Sequence, residues 1–262
     1  MCRWVAYRGQ PIYMEDVVTK PCHSLIDQSL RASEAKTGTN GDGFGIGWYG
    51  DRPAPGAYRE LRPAWSDENL KALCEQVRSG LFFAHVRAST GTATSRANCH
   101  PFISDQHMFM HNGQIGCYST LRRRIENLIP DNAYENRAGT TDSEAIFLIA
   151  MARGAARDPV GAMASTLSDI KTMMQDCAVC EPLRFTATLT NGRDITAFRW
   201  ACDSKAPTLY WKDTGGDLLV VSEPLDDTRD QWTPVPQGHV LVAKQGRPVE
   251  IRPFGLQERL AA

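Results

Sequence analysis

No stretch of this 262-residue sequence is long and apolar enough to cross a bilayer, so an α-helical membrane protein is not expected. Charge of one sign is equally scarce. The 29 Lys and Arg stand against 30 Asp and Glu, and the net charge of −1 offers no global field to nucleic acid or an anionic membrane. The largest basic cluster, Arg122-Arg123-Arg124, opens an expected helix and reads as a solvated face. The first residues lack the basic start and continuous apolar stretch of a secretory signal, which makes the cytosol the expected compartment. Repeats, low-complexity tracts and long linkers are missing as well. What remains is an ordinary globular composition, 42% hydrophobic and 23% charged, on a chain long enough to bury a sizeable core.

Metal signatures are thin too. The eight cysteines are scattered, and in a reducing compartment most are expected as free thiols. Cys177-Ala-Val-Cys180 is the one CxxC, and no second pair or suitably spaced histidines complete a zinc site. His107 and His111 flank Met-Phe-Met, which alternates like a strand and puts both rings on one face. No carboxylate sits at a telling interval from them, and neither a metal nor a cofactor is expected.

Periodicity predicts a strand over 2–8, a helix over 22–33, a polar glycine-rich loop over 37–43 and a strand through Tyr49. A helix N-capped by Ser66 carries Leu70, Leu73 and Val77, and a buried strand follows over 81–86. A short strand is predicted over 108–112 and a helix over 119–129, ended by Pro130. Thr141-Asp142-Ser143-Glu144 matches a capping box before an apolar helix over 145–152, and another helix covers roughly 159–176. Beyond Pro182 the chain turns to strands. Segments 184–190 and 194–200 flank the hairpin signal Asn191-Gly192, and strands near 208–212, 218–222, 239–243 and 249–252 follow. Strands at both ends with helices between predict one α+β domain built on packed sheets.

Five short stretches carry possible chemistry. Cys2 follows the initiator methionine directly; it fills a gap in a first strand or, with Met1 removed, joins a thiol to a free α-amine. The amine ordinarily titrates at about 7.7–8.0 and the thiol at about 8.5, which would put a nucleophile and a base on one residue. In Asn40-Gly-Asp-Gly-Phe-Gly-Ile-Gly-Trp48 the glycines do not fit GxGxxG, and a strand follows, so no phosphate cradle is offered. The stretch is a turn feeding a strand, or backbone packed close beside a small-substrate pocket. His85-Val-Arg-Ala-Ser-Thr-Gly91 ends a buried strand, where Arg87 calls for a carboxylate from the fold or from a substrate. His111-Asn112-Gly113 ends a strand in a turn, or aims an amide side chain and a backbone N–H at one oxygen. Asp142 caps a helix or holds a substrate ammonium.

In their order, Cys2, the arginine of HxRxxTG, the HNG strand and the TDSE helix start resemble the class II glutamine amidotransferases, of the N-terminal nucleophile hydrolase fold. Cys99-His-Pro-Phe102, Ser222-Glu-Pro-Leu225 and Val235-Pro-x-Gly238 belong to the same pattern, so the resemblance spans nearly the whole chain. Met-Cys-Arg, His23-Ser-Leu-Ile-Asp-Gln-Ser29 and Phe-Ala-His-Val-Arg-Ala-Ser-Thr are similar to the amidotransferase-like subunits of fungal glutathione degradation. Ergothioneine-pathway γ-glutamyl hydrolases are a more distant likeness.

The resemblance implies an α+β fold, a four-layer αββα sandwich, over a single domain 2–262 from which Met1 is removed. It implies that Cys2 attacks a γ-carbonyl, with Asn112 and Gly113 forming the oxyanion hole. Arg87, helped by Thr90, would hold the substrate α-carboxylate and Asp142 the α-ammonium. The implied substrate is glutamine or a γ-glutamyl peptide. Nothing after residue 182 looks like a sugar isomerase, phosphoribosyl or ATP-dependent synthetase domain, so a synthetase or cooperating peptidase is expected as a separate subunit. Three other readings stay open: a glutaminase supplying ammonia to such a synthetase, a noncatalytic amino-acid-binding partner, and a Cys–His thiol protease using Cys99 or Cys117.

Overall fold

A computed structural model describes residues 2–34, 38–89 and 93–256. The chain opens with β1 (Arg3–Tyr13), the short helices α1 (Glu15–Val18) and α2 (Leu25–Leu30), and the hairpin of β2 (Phe44–Trp48) and β3 (Gly56–Glu60). Helix α3 (Glu68–Gln76) leads into β4 (Arg78–Val86), followed by β5 (Phe102–Ser104) and β6 (His107–Gln114). The helical stretch comprises α4 (Tyr118–Glu126), α5 (Asp131–Tyr134), α6 (Asp142–Ala152) and α7 (Pro159–Asp176). The chain then runs through β7 (Arg184–Thr190), β8 (Ile195–Ala201), β9 (Tyr210–Asp213), β10 (Leu218–Val221), β11 (Thr233–Pro234), β12 (His239–Ala243) and β13 (Glu250–Pro253).

Two antiparallel sheets form the middle of the molecule, in the orders β11-β9-β10-β1-β4-β2-β3 and β13-β12-β8-β7-β6-β5. Three apolar clusters define four layers. Between the sheets, Trp4, Ala6, Leu81 and Phe83 meet Met108, Met110, Ile195, Ala197 and Leu241. On the outer face of the first sheet, Val5, Tyr7, Phe82 and Ala84 pack on Val17, Leu25, Leu70 and Cys74 from α1 to α3. On the outer face of the second, Phe109, Phe185, Leu189 and Phe198 pack on α4, α6 and α7. This is the expected αββα sandwich.

The layering explains the local sequence. Leu81-Phe82-Phe83-Ala84 reads as a continuous apolar run because both faces of its sheet are covered, which removes the usual alternation. Helix α6 is buried from Ser143 to Ala150 because it lies between the second sheet and the other helices. There Phe147 stacks on Phe109 with ring centroids 5.2 Å apart, and burying one such ring stabilises by about 1.5–3 kcal/mol.

Several boundaries differ from the sequence reading. Strand β1 runs on to Tyr13, because its ladder with β4 resumes after an irregularity between Arg8 and Ile12 that accommodates Pro11. Helix α2 is shorter than predicted, since Ser24 and Asp27 form a complete capping box that fixes its start. The cap of α3 is Asp67, whose carboxylate accepts the Leu70 N–H at 2.7 Å, while the Ser66 hydroxyl donates to the Pro63 carbonyl. At α6 only half of the predicted box exists. Thr141 accepts the Glu144 N–H, but the Glu144 carboxylate accepts the N–H groups of Ala138 and Gly139. Asn112-Gly113 is no turn: both residues lie inside β6, paired with Thr186 and Phe185 of β7. Strands β3 and β5 and helices α1 and α5 escaped the sequence reading, each being too short for a periodic signal.

The glycine-rich strand is β2, and its close backbone approach is to the facing layer. A Cβ at Gly45 would stand 2.1 Å from the His100 carbonyl oxygen. Because that neighbour is backbone, Gly45→Ala is expected to destabilise by about 1–3 kcal/mol, lowering the thermal midpoint by several degrees. An unchanged midpoint in circular-dichroism melts would refute this contact between the layers.

Candidate active site

Strand β1 starts at Arg3, opposite Val86 of β4, so Cys2 stands beside the segment that leaves β4. The half-buried Cys2 thiol lies 3.6 Å from the Ala88 carbonyl oxygen, and the Ala88 N–H points at the sulfur from 3.4 Å. Burial pushes the thiol pKa up, outweighing the Ala88 N–H and the nearby Arg87 and Arg3 charges that pull it down. At neutral pH such a thiol needs a base to become a nucleophile.

The second sheet supplies Asn112. Its Nδ2 donates to the Cys2 carbonyl oxygen at 3.0 Å, and Nη1 of Arg3 donates to the same oxygen at 3.0 Å. The next residue, Gly113, has φ +149°, and a Cβ there would stand 2.0 Å from the Arg184 carbonyl oxygen. No other residue fits without moving β7.

Arg87 is 3% exposed. Its Nη1 donates to the Asp42 carbonyl at 3.3 Å, and Nη2 reaches the Ser89 hydroxyl at 3.2 Å and the Ala93 carbonyl at 3.5 Å. The Asp42 carboxylate accepts the Ser89 N–H at 2.7 Å, so the loop before β2 and the exit of β4 hold each other. Thr90 lies outside the described residues. Asp142 opens α6, where a carboxylate also complements the helix dipole. It accepts the Ile115 N–H at 2.9 Å and the Ser143 N–H at 2.8 Å. Ile115 lies two residues beyond Gly113, so the start of α6 is bonded to the chain just after β6. With Ala93, Gln114, Ile115 and Thr140, Asp142 lines a cleft of about 600 Å³.

Asn98 bridges the two sides of this cleft, and sequence reasoning missed it. Its Nδ2 donates to the Ala93 carbonyl at 2.7 Å, and its Oδ1 accepts the Thr140 N–H at 2.8 Å. One amide thus ties the Ala93 loop, on the guanidinium side, to Thr140, on the carboxylate side. Also missed were Arg3 and Glu223, an ion pair at 2.7 Å with both side chains wholly buried. The available signal was a charged residue inside each of two apolar strand ends, in Met-Cys-Arg and Ser-Glu-Pro.

Three imidazoles lie behind the site. His85 stacks on His100 with centroids 4.2 Å apart, and His111 Nδ1 stands 2.8 Å from the Ser143 hydroxyl. Desolvation lowers all three pKa values: His85 to about 3, His100 well below the ordinary imidazole value, and His111 also downward, with the Asp142 charge opposing. Among the described residues, no group of three or more His, Cys, Asp or Glu is placed to hold a metal ion. Cys99 is buried with its thiol aimed at the Glu60 and Ser95 carbonyls, and burial raises its pKa to about 11. Cys117 is also raised, by burial and by Glu181. Neither environment suits the nucleophile of a thiol protease.

Comparison with known proteins decides the family. Residues 13–206 match the family model of the glutamine amidotransferases class-II. The probable glutamine amidotransferase DUG3 of Saccharomyces cerevisiae is 32% identical, over 94% of this chain and 82% of that protein. The chain belongs to the class II glutamine amidotransferases.

A gamma-glutamyl-hercynylcysteine sulfoxide hydrolase of Mycolicibacterium smegmatis is 26% identical to this amidotransferase, over 92% of the chain and 95% of that protein. The structure of a glutamine aminotransferase class-II domain protein from Silicibacter pomeroyi is similar with a TM-score of 0.76 and 34% identity, covering 97% of this chain and all (100%) of that one. The glutamine phosphoribosylpyrophosphate amidotransferase of B. subtilis shares the fold at a TM-score of 0.63 and 15% identity, over 98% of this chain and 50% of that one. Among the described residues of this amidotransferase, no helix is long and apolar enough to cross a membrane.

The histidines make stability pH-dependent. An unfolded imidazole titrates near 6.5, whereas these remain neutral in the fold to lower pH. Below about pH 6.5 the unfolded chain therefore binds protons that the folded chain does not, and stability falls. The thermal midpoint of this amidotransferase is expected to hold above about pH 7 and to drop between about pH 6.5 and 5. A midpoint that stays flat across that window would mean the three rings are not buried as neutral groups.

Proposed function

We propose that this chain is a γ-glutamyl amide hydrolase that works through a thioester on Cys2, after loss of Met1 makes Cys2 the first residue of a single amidotransferase domain. The observation that carries the reading is the hydrogen bond from Asn112 to the Cys2 carbonyl, which brings the motif amide of one sheet to the thiol-bearing residue of the other. The Cys2 α-amine takes the thiol proton as sulfur attacks the γ-carbonyl carbon. The carbonyl electrons move to oxygen, where the free N–H of the Asn112 amide and the Gly113 N–H stabilise the charge. Collapse expels ammonia or an amine, which receives the proton from the α-ammonium. Water then attacks the thioester by the same route, releasing glutamate and restoring the thiol.

Arg87, with Thr90, holds the substrate α-carboxylate, and Asp142 holds the α-ammonium. A cation and an anion spaced by Asn98 recognise an amino-acid head whatever hangs from its γ-carbonyl. Two considerations favour γ-glutamyl peptides over free glutamine alone. The cleft beside Asp142 has room for more than an amino-acid head, and one relative is named as a hydrolase of a γ-glutamyl compound. The protein works in the cytoplasm, and a synthetase or peptidase, where one is needed, is a separate polypeptide.

The test is glutamate release from glutamine and from glutathione, on protein whose mass confirms loss of Met1, with Cys2→Ala as control. Cys2-dependent release from glutathione, with little from glutamine, is the expected result; release that survives Cys2→Ala overturns the reading. Activity should decline as pH falls below the α-amine range of about 7.7–8.0. The roles separate in kinetics. Arg87→Ala is expected chiefly to raise KM, and Asn112→Ala to lower kcat by about 10²–10³. The reverse pattern would exchange the binding and catalytic assignments.

A further inference from the structure

The Cys2 side chain and carbonyl are held by few contacts. Residue 2 precedes the first strand, and among the described residues its thiol meets the Ala88 backbone at 3.4–3.6 Å. Its carbonyl oxygen accepts bonds from Arg3 and from Asn112 at 3.0 Å each. Arg3 is itself held from behind. Its Nε stands 2.7 Å from Glu223, with both side chains fully buried.

Glu223 is anchored from several sides. Its Oε1 lies 2.6 Å from His23 Nε2 and accepts the Ser33 N–H at 2.8 Å; its Oε2 also accepts the Glu34 N–H at 3.1 Å. The preceding Ser222 accepts the Trp4 N–H at 2.9 Å through its hydroxyl and donates its own N–H to the Trp4 carbonyl. The Gln28 amide reaches the Glu223 and Pro224 carbonyls. The carboxylate therefore has little freedom. A buried ion pair of this kind contributes little net stability relative to apolar side chains of the same volume, so stability alone accounts for it poorly.

We propose that Glu223 and Arg3 are positioning residues for catalysis: the carboxylate fixes the guanidinium, which fixes the Cys2 carbonyl and through it the aim of the Asn112 amide. This rests on the reading of Cys2 as the nucleophile. An amide NH₂ has two donors in one plane. One is spent on the Cys2 carbonyl, and the position of that oxygen sets where the other points. Oxyanion donors act at 2.7–3.1 Å from the developing charge, so a small rotation is felt in the chemical step. The contacts proposed for the amino-acid head, at Arg87 and Asp142, do not run through this pair.

The double variant Arg3→Met, Glu223→Gln removes both charges together. It is expected to keep a thermal midpoint near the parent's, to lose kcat by about 10–100-fold and to hold KM within about twofold. Arg3→Lys, which keeps the buried charge pair, should recover part of the lost kcat. A folded double variant with the parent's kcat overturns the proposal, and so does a loss expressed in KM with kcat retained. If the double variant does not fold, Arg3→Lys alone decides: a lowered kcat at unchanged KM supports the proposal, and the parent's kcat overturns it. Cys2→Ala separates the two levels. Activity surviving in Cys2→Ala defeats the thioester reading itself; an inactive Cys2→Ala beside a fully active pair variant defeats only the positioning role.

Discussion

The carbonyl of Cys2 is the point on which the site depends. Two donors from different layers meet on that oxygen, Arg3 from β1 and Asn112 from β6. Between the two sheets lies an apolar cluster that allows no sliding without opening voids, because interiors pack at nearly crystalline density. The side chains of Trp4, Phe83, Met108 and Met110 thus fix the distance across which Asn112 reaches Cys2. The geometry of the proposed site is here a consequence of core packing.

The same economy appears on the cleft side. Arg87 and Asp142 are of opposite charge and lie at the ends of unrelated elements, the exit of β4 and the start of α6. A single buried amide, Asn98, ties the loops that carry them. The Glu144 carboxylate completes the arrangement by leaving its helix cap and holding the Ala138 and Gly139 N–H groups instead. A residue that local pattern assigns to helix capping is taken over by the loop it faces, since leaving the buried Gly139 N–H unpaired would cost at least as much as half a capping box.

Much of the framework was legible before any coordinates. The four-layer sandwich, the long helices α6 and α7, the buried strand β4 and the β7–β8 hairpin follow from periodicity, capping and turn residues together with the family resemblance. The short strands β3 and β5 were not, because three to five residues carry too little pattern to separate strand from loop. Asn112-Gly113 has the composition of a turn, and only its pairing with β7 makes it a strand. The glycine is demanded there by the Arg184 carbonyl, a neighbour that no local window contains.

By itself the sequence determined which residues were available for chemistry: a cysteine at the second position, an arginine and an aspartate at element ends, and an Asn-Gly pair. These follow from residue type and order, and their ordering is what marks the family. Only the tertiary structure decided what each would touch. That Glu223, from near the end of the chain, stands behind Arg3, and that Asn98 spans the cleft, are facts of packing between layers. Buried polar groups must find partners wherever the folded backbone places them, and that requirement is satisfied in space, not along the chain.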